Sequence, residues 1–395
     1  MQQVLASLPG LAGKIARYVD MQLEDSAPHI SIPAALSFIS LLKAGKYEGN
    51  ESIAPNLYCC VVAGSGTGKS QAQRAIQDLV LGCDLQKLMM GKPASDSGLL
   101  KALQDQNRRF LIWDEFGIAL SELSRSQASY RALILSTLMD LFSASGKVFL
   151  GKEYASQERI DIKEPYLALF AASTPNRFFG ALNQDFVEDG FLSRWLLFFQ
   201  PEKAGQRKDF NIDYDDLVAE IITLDEAHFP RRGNLADIFS SGKKLIHPPS
   251  NQRFIKEIFK ERSCSAKSEI QRIFWSRAYE QYIKLCIVLT DSDETPYSVS
   301  ATAADLVTSL IESAISACEN SLYANERERT KEKFRAILKP GESVPISTVT
   351  RRAYRLNLSR TERKALIDDL VESGFWAKTQ QAGTGQKRIT TLTAL

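Results

Sequence analysis

The sequence predicts an α/β protein with a parallel β-sheet, because apolar strand-like runs alternate with helix-forming segments. The strand candidates are Leu57–Ala63, Phe110–Trp113, Tyr166–Ala172 and Trp195–Phe199. A glycine-rich stretch follows the first run and leads straight into a helical pattern, Gln71–Leu81. Strand, glycine-rich loop and helix in this order are what a phosphate-binding loop requires.

Bulk composition is that of a globular chain, with 44% hydrophobic and 24% charged residues in 395. Such a chain has room for about two or three domains. No apolar stretch approaches the roughly 18 residues of a membrane span, and the start, MQQVLASLPG, lacks the features of a signal peptide. The six cysteines form no C-x-x-C pair. We therefore expect a reduced, cytoplasmic protein without structural zinc.

Composition divides the chain into five segments. They are residues 1–50, an N-terminal helical segment; 51–200, the α/β core; 201–250, a polar connection; 251–338, a helical bundle; and 339–395, a small C-terminal domain. Helical periodicity outside the core is clearest in Ser31–Lys43, Tyr214–Thr223, Ile270–Leu289 and Ala301–Tyr323. Pro33 stands early in the first of these helices, where a proline is tolerated.

The C-terminal domain reads as helix, turn, helix and hairpin, which is the order of a winged helix. The predicted elements are Ile346–Arg355, Ser359–Ser373, Phe375–Thr379 and Arg388–Leu392. Ser359 and Glu362 form a capping-box pattern at the start of the second helix. Such a domain can place that helix in a DNA groove and its wing on the backbone. The candidate DNA contacts are Arg360, Arg363, Lys364, Lys387 and Arg388.

The charge of this end of the chain fits an anionic partner. From Glu326 to Leu395 there are 15 Lys and Arg against 8 Asp and Glu, an excess of seven, although the whole chain carries only +2. A basic module on an acidic body suggests nucleic acid. Two alternatives stay open: a solvated charged surface, or a winged helix that binds protein.

The loop Ala63–Ser70, AGSGTGKS, matches the relaxed form A-x-x-x-x-G-K-S of the phosphate-binding motif. Backbone N–H groups of such a loop wrap the phosphates, the lysine reaches the β/γ oxygens and the serine hydroxyl binds Mg²⁺. The alternative is a chance glycine-rich turn. The predicted nucleotide-binding residues are Gly64, Ser65, Gly66, Thr67, Gly68, Lys69 and Ser70, with ATP and Mg²⁺ as cofactors.

A carboxylate pair follows the second strand candidate in the segment RRFLIWDEFG. Asp114 stands at the carboxyl end of that strand, where ligands collect in parallel sheets. It can hold Mg²⁺ through its water shell, and Glu115 can polarise a water molecule for attack on the γ-phosphate. This pair favours hydrolysis of ATP; a surface Asp-Glu turn is the alternative.

A third strand candidate ends in YLALFAASTPN. A polar residue there could lie between the two loops and read the γ-phosphate. Thr174 is the first choice and Asn176 the reserve, and Pro175 is expected to turn the chain out of the strand. A Ser-Thr-Pro turn without such a role is the alternative.

Arg194 stands between apolar residues in GFLSRWLLFF, an unfavourable place for a charge without a partner. A guanidinium there could reach the γ-phosphate held by a neighbouring subunit, as arginine fingers do. A structural salt bridge is the alternative.

The set DEFG, AASTP and FLSRW after a phosphate-binding loop resembles the AAA+ motor core of the minichromosome-maintenance replicative helicases. Residues ~30–325 also resemble a P-loop ATPase family of uncharacterised function, carried by phages, plasmids and genomic islands and often fused to primases, through SIPAALSFIS and the Gly-Phe-Leu-Ser-Arg element. The resemblance implies an AAA+ core with a helical lid and a winged helix. It also implies a homo-oligomeric ring, expected to be a hexamer, that moves on DNA.

Carried over by motif, the resemblance assigns roles to particular residues. Lys69, Ser70, Asp114 and Glu115 form the site within one subunit. Thr174 takes the sensor position, where the helicases usually have Asn, and Arg194 acts in trans. The hairpin KVFLGKE supplies the pore lysine, Lys147 or Lys152, and Arg277 is the candidate second sensor.

The departures from the helicases are substantial. Only ~50 residues, expected to be helical, stand before the predicted core, so we expect neither the long N-terminal DNA-binding domain of the helicases nor a primase domain here, and Trp195 replaces the usual Phe after the finger. The first hypothesis is an ATP-driven DNA motor serving replication of a mobile element, with a primase among its partners. The others are an ATP-switched initiator that binds DNA without unwinding it, and an ATPase of a defence or packaging system.

Overall fold

The computed structural model describes residues 1–125, 132–153, 159–182, 188–200, 209–227, 244–246, 249, 251–292, 294–356, 358–382 and 388–395. These residues form two compact units, Met1–Glu319 and Asn320–Leu395. None of the helices in the described ranges is long and apolar enough to cross a membrane. Most of the polar connection predicted over residues 201–250 lies outside the described residues, and 209–227 contain one helix.

The larger unit is helical around a central sheet. Its helices are α1 Gln2–Ser7, α2 Gly10–Met21, α3 Pro28–Lys43, α4 Lys69–Gly82, α5 Asp96–Asp105, α6 Phe116–Arg125, α7 Ala132–Ala144, α8 Pro175–Ala181, α9 Tyr214–Glu226, α10 Gln252–Cys264, α11 Glu269–Ser276, α12 Ala278–Leu289 and the first part of α13 Tyr297–Arg335. Its strands are β1 Tyr47–Glu48, β2 Tyr58–Val62, β3 Met89–Met90, β4 Arg108–Trp113, β5 Val148–Phe149, β6 Ile162–Lys163, β7 Tyr166–Ser173, β8 Trp195–Phe199 and β9 Lys244–Leu245.

The central sheet has five parallel strands in the order β3-β4-β7-β2-β8. The four predicted strands are confirmed, and β8 has the predicted bounds. The two-residue strand β3 was not predicted, because its sequence, Met89-Met90, is too short to show a period. All residues of β2 and β7 are buried, as expected for strands covered on both faces.

The helix α3 is buried along nearly its whole length and packs on the strands of the central sheet. It begins at Pro28, three residues before the predicted start, so Pro33 lies inside the helix and not in its first turn. The prediction of an early Pro33 is therefore wrong: Pro28 occupies the helix start, where a missing N–H costs nothing. The carbonyl of Pro33 accepts a hydrogen bond from the Ser37 hydroxyl.

Two predicted helices of the bundle have different bounds. The segment Ile270–Leu289 is two helices, α11 and α12, which meet at Arg277. Arg277 keeps a helical backbone, but its N–H bonds to the carbonyls of Phe274 and Trp275, which ends α11. The helix predicted over Ala301–Tyr323 extends over Tyr297–Arg335, because its polar continuation forms helix although it lacks an apolar stripe.

The described residues of the smaller unit contain the end of α13, a three-stranded antiparallel sheet in the order β10-β12-β11 and two further α-helices. Its elements are β10 Ser343–Pro345, α14 Ile346–Arg352, α15 Arg360–Glu372, β11 Trp376–Ala382 and β12 Arg388–Ala394. Both predicted helices and both predicted strands are present, and Ser359 and Glu362 form the predicted capping box. The strand β10 was missed because it is short and ends in proline. The core includes Phe334, Leu370, Trp376 and Leu392.

Candidate functional site

The loop between β2 and α4 lies at the carboxyl edge of the central sheet. Gly66 and Gly68 have φ of 76° and 95°, in the left-handed region that glycine adopts without strain. A Cβ at Gly66 would meet nothing within 4 Å, so the loop borders open space there. Among the described residues, the N–H groups of Gly64 to Gly68 donate no hydrogen bond. The loop thus presents free donors to solvent at the start of a helix.

Lys69, the first residue of α4, folds back onto this loop. Its Nζ donates to the carbonyl of Ala63 over 2.8 Å and to that of Gly64. Partial burial lowers the pKa of Lys69, while the nearby carboxylates of Asp114 and Glu115 oppose the shift. Lys69 and the carboxylate pair are therefore electrostatic neighbours, although Asp114 lies 45 positions after Lys69 in the sequence.

The carboxylate pair forms the turn between β4 and α6. Asp114 accepts a hydrogen bond at Oδ1 from the N–H of Glu115 over 2.9 Å, which orients its side chain. Glu115 is exposed and has φ of 56°, a strained backbone for a residue with a side chain. Lys92 donates from Nζ to the carbonyl of Asp114 over 2.8 Å, a contact that no pattern in the sequence predicted.

The glycine of DEFG allows α6 to approach the end of β7 closely. A Cβ at Gly117 would lie 2.4 Å from Ser173 Oγ and 2.8 Å from backbone atoms of Arg177 and Phe178. Only a residue without a side chain fits this contact. The close contact at Gly117 therefore packs the turn that carries Asp114 against the end of β7, next to Thr174.

Thr174 lies where the strand order places it, between the two loops. Its strand, β7, pairs with β2 on one side and β4 on the other, and the N–H of Ala63 donates to the carbonyl of Ser173 over 3.0 Å. Thr174 is the N-cap of α8, its side chain makes no cap hydrogen bond, and Pro175 begins the helix. Asn176, the reserve choice, is exposed in the first turn.

Arg194 lies at the amino ends of the central strands, whereas the loop lies at their carboxyl ends. Trp195 pairs with Tyr58 at the beginning of β2, whereas the loop follows the end of β2. A five-residue strand spans roughly 17 Å. Arg194 donates from Nη1 to the carbonyl of Gly190 over 2.7 Å, and its buried Nε has no hydrogen-bond partner.

Arg277 stands beside Arg194. Burial lowers the pKa of the Arg194 guanidinium, and the positive charge of Arg277 lowers it further, whereas Glu280 opposes the shift. Arg277 forms an ion pair with Glu280 over 2.8 Å. Gln281 donates from Nε2 to the carbonyl of Arg194 over 3.0 Å. The two candidate arginines thus share one face, away from the loop of their own chain.

The two candidate pore lysines have different surroundings. Lys152 makes an ion pair with the buried Asp96 over 3.4 Å, at the start of α5. Lys147 is exposed at the turn before β5, and within the described residues it makes no ion pair. Val148 and Phe149 pair antiparallel with Ile162 and Lys163 as β5–β6, so only the first strand of this pair lies within the predicted hairpin KVFLGKE. Lys147 is therefore the freer of the two side chains.

The candidate DNA contacts of the smaller unit also differ in their surroundings. Arg360 and Lys364 are exposed at the start of α15. Arg363 turns back and donates from Nη1 to the carbonyl of Thr350 over 3.5 Å, with its Nε buried and unpaired. Arg388 is the first residue of β12, and Lys387 lies outside the described residues.

The residues at the carboxyl edge fit a magnesium-bound nucleoside triphosphate. The free loop N–H groups and Lys69 are donors for phosphate oxygens. Ser70, in the first turn of α4, and Asp114 offer the oxygen ligands that Mg²⁺ prefers. No protein-family model and no curated protein matches the chain.

Sequence reasoning missed several residues that support the site: Lys92, Gly117, Glu280 and Gln281. For two of them, the sequence contains a pattern that could have identified them. Gly117 belongs to the DEFG segment, and Glu280 follows Arg277 at the i,i+3 spacing of helical ion pairs. Lys92 and Gln281 had none, because each bonds a backbone carbonyl of a residue far away in the sequence.

Proposed function

We propose that this chain is the subunit of an ATP-hydrolysing motor that moves on DNA and serves replication of a phage, plasmid or genomic island. One observation carries the proposal: three strand ends bring Lys69, Asp114 and Thr174 to one edge of the sheet, and Arg194 lies at the other edge. Such an arrangement suits a site shared between two copies of one chain.

Nucleotide binding is supported by the loop. Its unpaired N–H groups, its left-handed glycines and the helix that starts at Lys69 suit an anion with several phosphates. Bound Mg²⁺ supplies charge neutralisation at the phosphates. Ser70 and Asp114 would hold it, and Lys69 would leave the carbonyls of Ala63 and Gly64 for a phosphate oxygen.

Hydrolysis is supported by the turn at Asp114 and Glu115. Glu115 is exposed and no ion pair occupies its carboxylate within the described residues, so it can accept a proton from an attacking water molecule. Thr174, half-buried at the neighbouring strand end, can orient that water or a phosphate oxygen through its hydroxyl. These roles fit an AAA+ core.

Action of Arg194 in trans is supported by its position. A side chain that begins roughly 17 Å from the loop cannot reach a phosphate bound there, since an extended arginine spans only about half that distance. A neighbouring copy that presents its loop to this face would bring its γ-phosphate to Arg194. A closed ring, with a hexamer as the expected size, provides such a neighbour for every subunit.

DNA as the substrate is supported by the smaller unit. Two helices and a three-stranded antiparallel sheet, in the order found there, suit a winged helix. Two exposed cations, Arg360 and Lys364, lie in the first turns of α15, where a helix inserted into a groove meets phosphates. A primase is the expected partner in replication.

The decisive experiment measures ATP hydrolysis with and without DNA, using mixed subunits. Lys69→Ala and Arg194→Ala should each lose hydrolysis, and a mixture should regain part of it, because some interfaces then pair an intact loop with an intact arginine. Arg74→Ala, at an exposed position of α4, is the matched control. Absence of rescue argues against a shared site.

A forked-duplex unwinding assay then separates the motor from a switch that binds DNA without moving. A motor unwinds the fork only with hydrolysable ATP, and Glu115→Gln abolishes unwinding while nucleotide binding persists. Binding without unwinding under every condition would leave the switch as the better description.

A further inference from the structure

A cavity of about 520 Å³ opens in the larger unit beside Arg277. It lies at the amino edge of the central sheet, because the turn that carries Lys147 is bonded to the residue before β7: Gly146 N–H donates to the carbonyl of Pro165 over 3.2 Å. The other walls come from α10 and from the junction of α11 with α12.

The cavity carries an excess of positive charge. Four cations line it, Lys147, Lys256, Lys260 and Arg277, against the two carboxylates of Glu51 and Glu280. Both carboxylates are already paired, Glu51 with Lys256 over 2.7 Å and Glu280 with Arg277 over 2.8 Å. Lys147 and Lys260 make no ion pair within the described residues. Two exposed ammonium groups therefore face this cavity without a counter-charge.

The aromatic walls of the cavity are already covered. Phe259 stacks on Trp275 at 6.0 Å between ring centroids, and the Arg262 guanidinium lies 4.6 Å from the centre of the Trp275 ring. Lys256 Nζ lies 4.6 Å from the ring centre of Tyr279. These aromatic rings already have partners, so charge is the stronger means of recognition that the cavity offers.

We propose that this cavity is a second contact site for the backbone phosphates of single-stranded nucleic acid, independent of base sequence. Exposed, rotatable lysines suit a polymer of phosphates, which binds by displacing counterions. A built site for one small phosphate would instead use fixed, buried donors. The inference rests on the proposed function in naming nucleic acid as the polyanion, and it adds Lys260 and the cavity around it to Lys147, the candidate pore lysine.

The first test measures the affinity of the full chain for fluorescein-labelled oligo-dT over a series of KCl concentrations, without nucleotide. Lys147→Ala and Lys260→Ala should each weaken binding and lower the slope of log K against log salt by about 0.7. Lys87→Ala, at an exposed lysine before the far edge strand β3, should change neither value. Unchanged slopes in both cavity variants would overturn the proposal.

A variant that gains affinity excludes misfolding as the cause. Glu51→Gln removes the carboxylate that pairs with Lys256 and keeps its shape. It should tighten oligo-dT binding and raise the salt slope. Equal or weaker binding contradicts the proposal, because the affinity for oligo-dT would then not depend on the net charge of the cavity.

Cys264 provides a direct reporter, since it lines the cavity and is the one exposed cysteine of the six. Oligo-dT should slow its alkylation by a maleimide, and Cys264→Ser should abolish labelling. Protection of Cys264 by inorganic triphosphate, at the same total phosphate concentration, would assign the cavity to a small anion and overturn the proposal. Protection by raised protein concentration alone would assign the cavity to a second copy of the chain and overturn it too. Hydrolysis of ATP without protection refutes only this site; protection without hydrolysis refutes only the motor.

Discussion

Gln281 holds the backbone of Arg194 in place: its Nε2 donates to the Arg194 carbonyl over 3.0 Å, and its side chain is almost fully buried. This bond joins α12 to the short turn that carries the proposed trans-acting arginine. We predict that Gln281→Leu lowers kcat for ATP hydrolysis and leaves KM for ATP nearly unchanged, because the loop of the same chain is untouched. Gln77→Leu, at an exposed site of α4, is the control. An unchanged kcat would contradict this role.

Glu115 combines a strained backbone with the proposed catalytic carboxylate. Glu115 has φ of 56°, so its replacement by glycine should relieve backbone strain of roughly 1–2 kcal/mol. Glu115→Gly should therefore raise the free energy of unfolding, measured by urea denaturation, and abolish ATP hydrolysis. Asp84→Gly, also at φ of 56°, should stabilise similarly and leave hydrolysis intact. Hydrolysis that survives in Glu115→Gly would remove Glu115 from the mechanism.

Gly117 should not tolerate a side chain. Gly117→Ala places a methyl group 2.4 Å from Ser173 Oγ and 2.8 Å from the backbone of α8, so we expect a loss of about 1–3 kcal/mol in the free energy of unfolding. Gly180→Ala is the matched control within α8, since its Cβ would meet nothing within 4 Å. That variant should be neutral or slightly stabilising. Equal effects of both substitutions would show that the contact is loose.

Two buried lysines should make stability depend on pH. Lys284 donates to the carbonyls of Ala54 and Asn56, and Lys43 to those of Val288 and Thr290. Burial lowers the pKa of each to about 8 from 10.5. Between these values the unfolded chain binds more protons than the folded one, so the free energy of unfolding rises with pH, by up to roughly 3 kcal/mol per lysine.

Urea denaturation of Lys284→Met across the same pH range tests this dependence. The variant should lose the part of the rise that belongs to Lys284, whereas Lys101→Met, at an exposed position of α5, should keep it. A wild-type slope in Lys284→Met would mean that the ammonium group is not desolvated in the folded chain.

The cations at the start of α15 should differ in what they do. Arg360→Ala and Lys364→Ala should weaken DNA binding at all sequences and lower its salt dependence, because both side chains are exposed. Arg363→Ala should mainly lower stability, since its Nη1 bonds to the Thr350 carbonyl. Anisotropy and thermal melting of the same three variants distinguish these effects. Loss of affinity only in Arg363→Ala would reverse the assignment.

Local patterns in the sequence predicted many of the strands and helices of this protein. Apolar runs identified four of the five central strands, and the capping box at Ser359 identified the start of α15. Pattern failed where an element is short, as at β3, or where a helix continues without an apolar stripe, as in α13. It also missed the break at Arg277, because both sides of that break share helical periodicity.

By itself, the sequence identified the candidate phosphate-binding residues and the strands and helices that carry them, since these depend on neighbours along the chain. The tertiary structure decided which residues meet. Pairing of β7 between β2 and β4 brings Thr174 between the loop and Asp114, and pairing of β8 with β2 puts Arg194 at the far edge. Strand order depends on contacts between distant residues, and no local period encodes them.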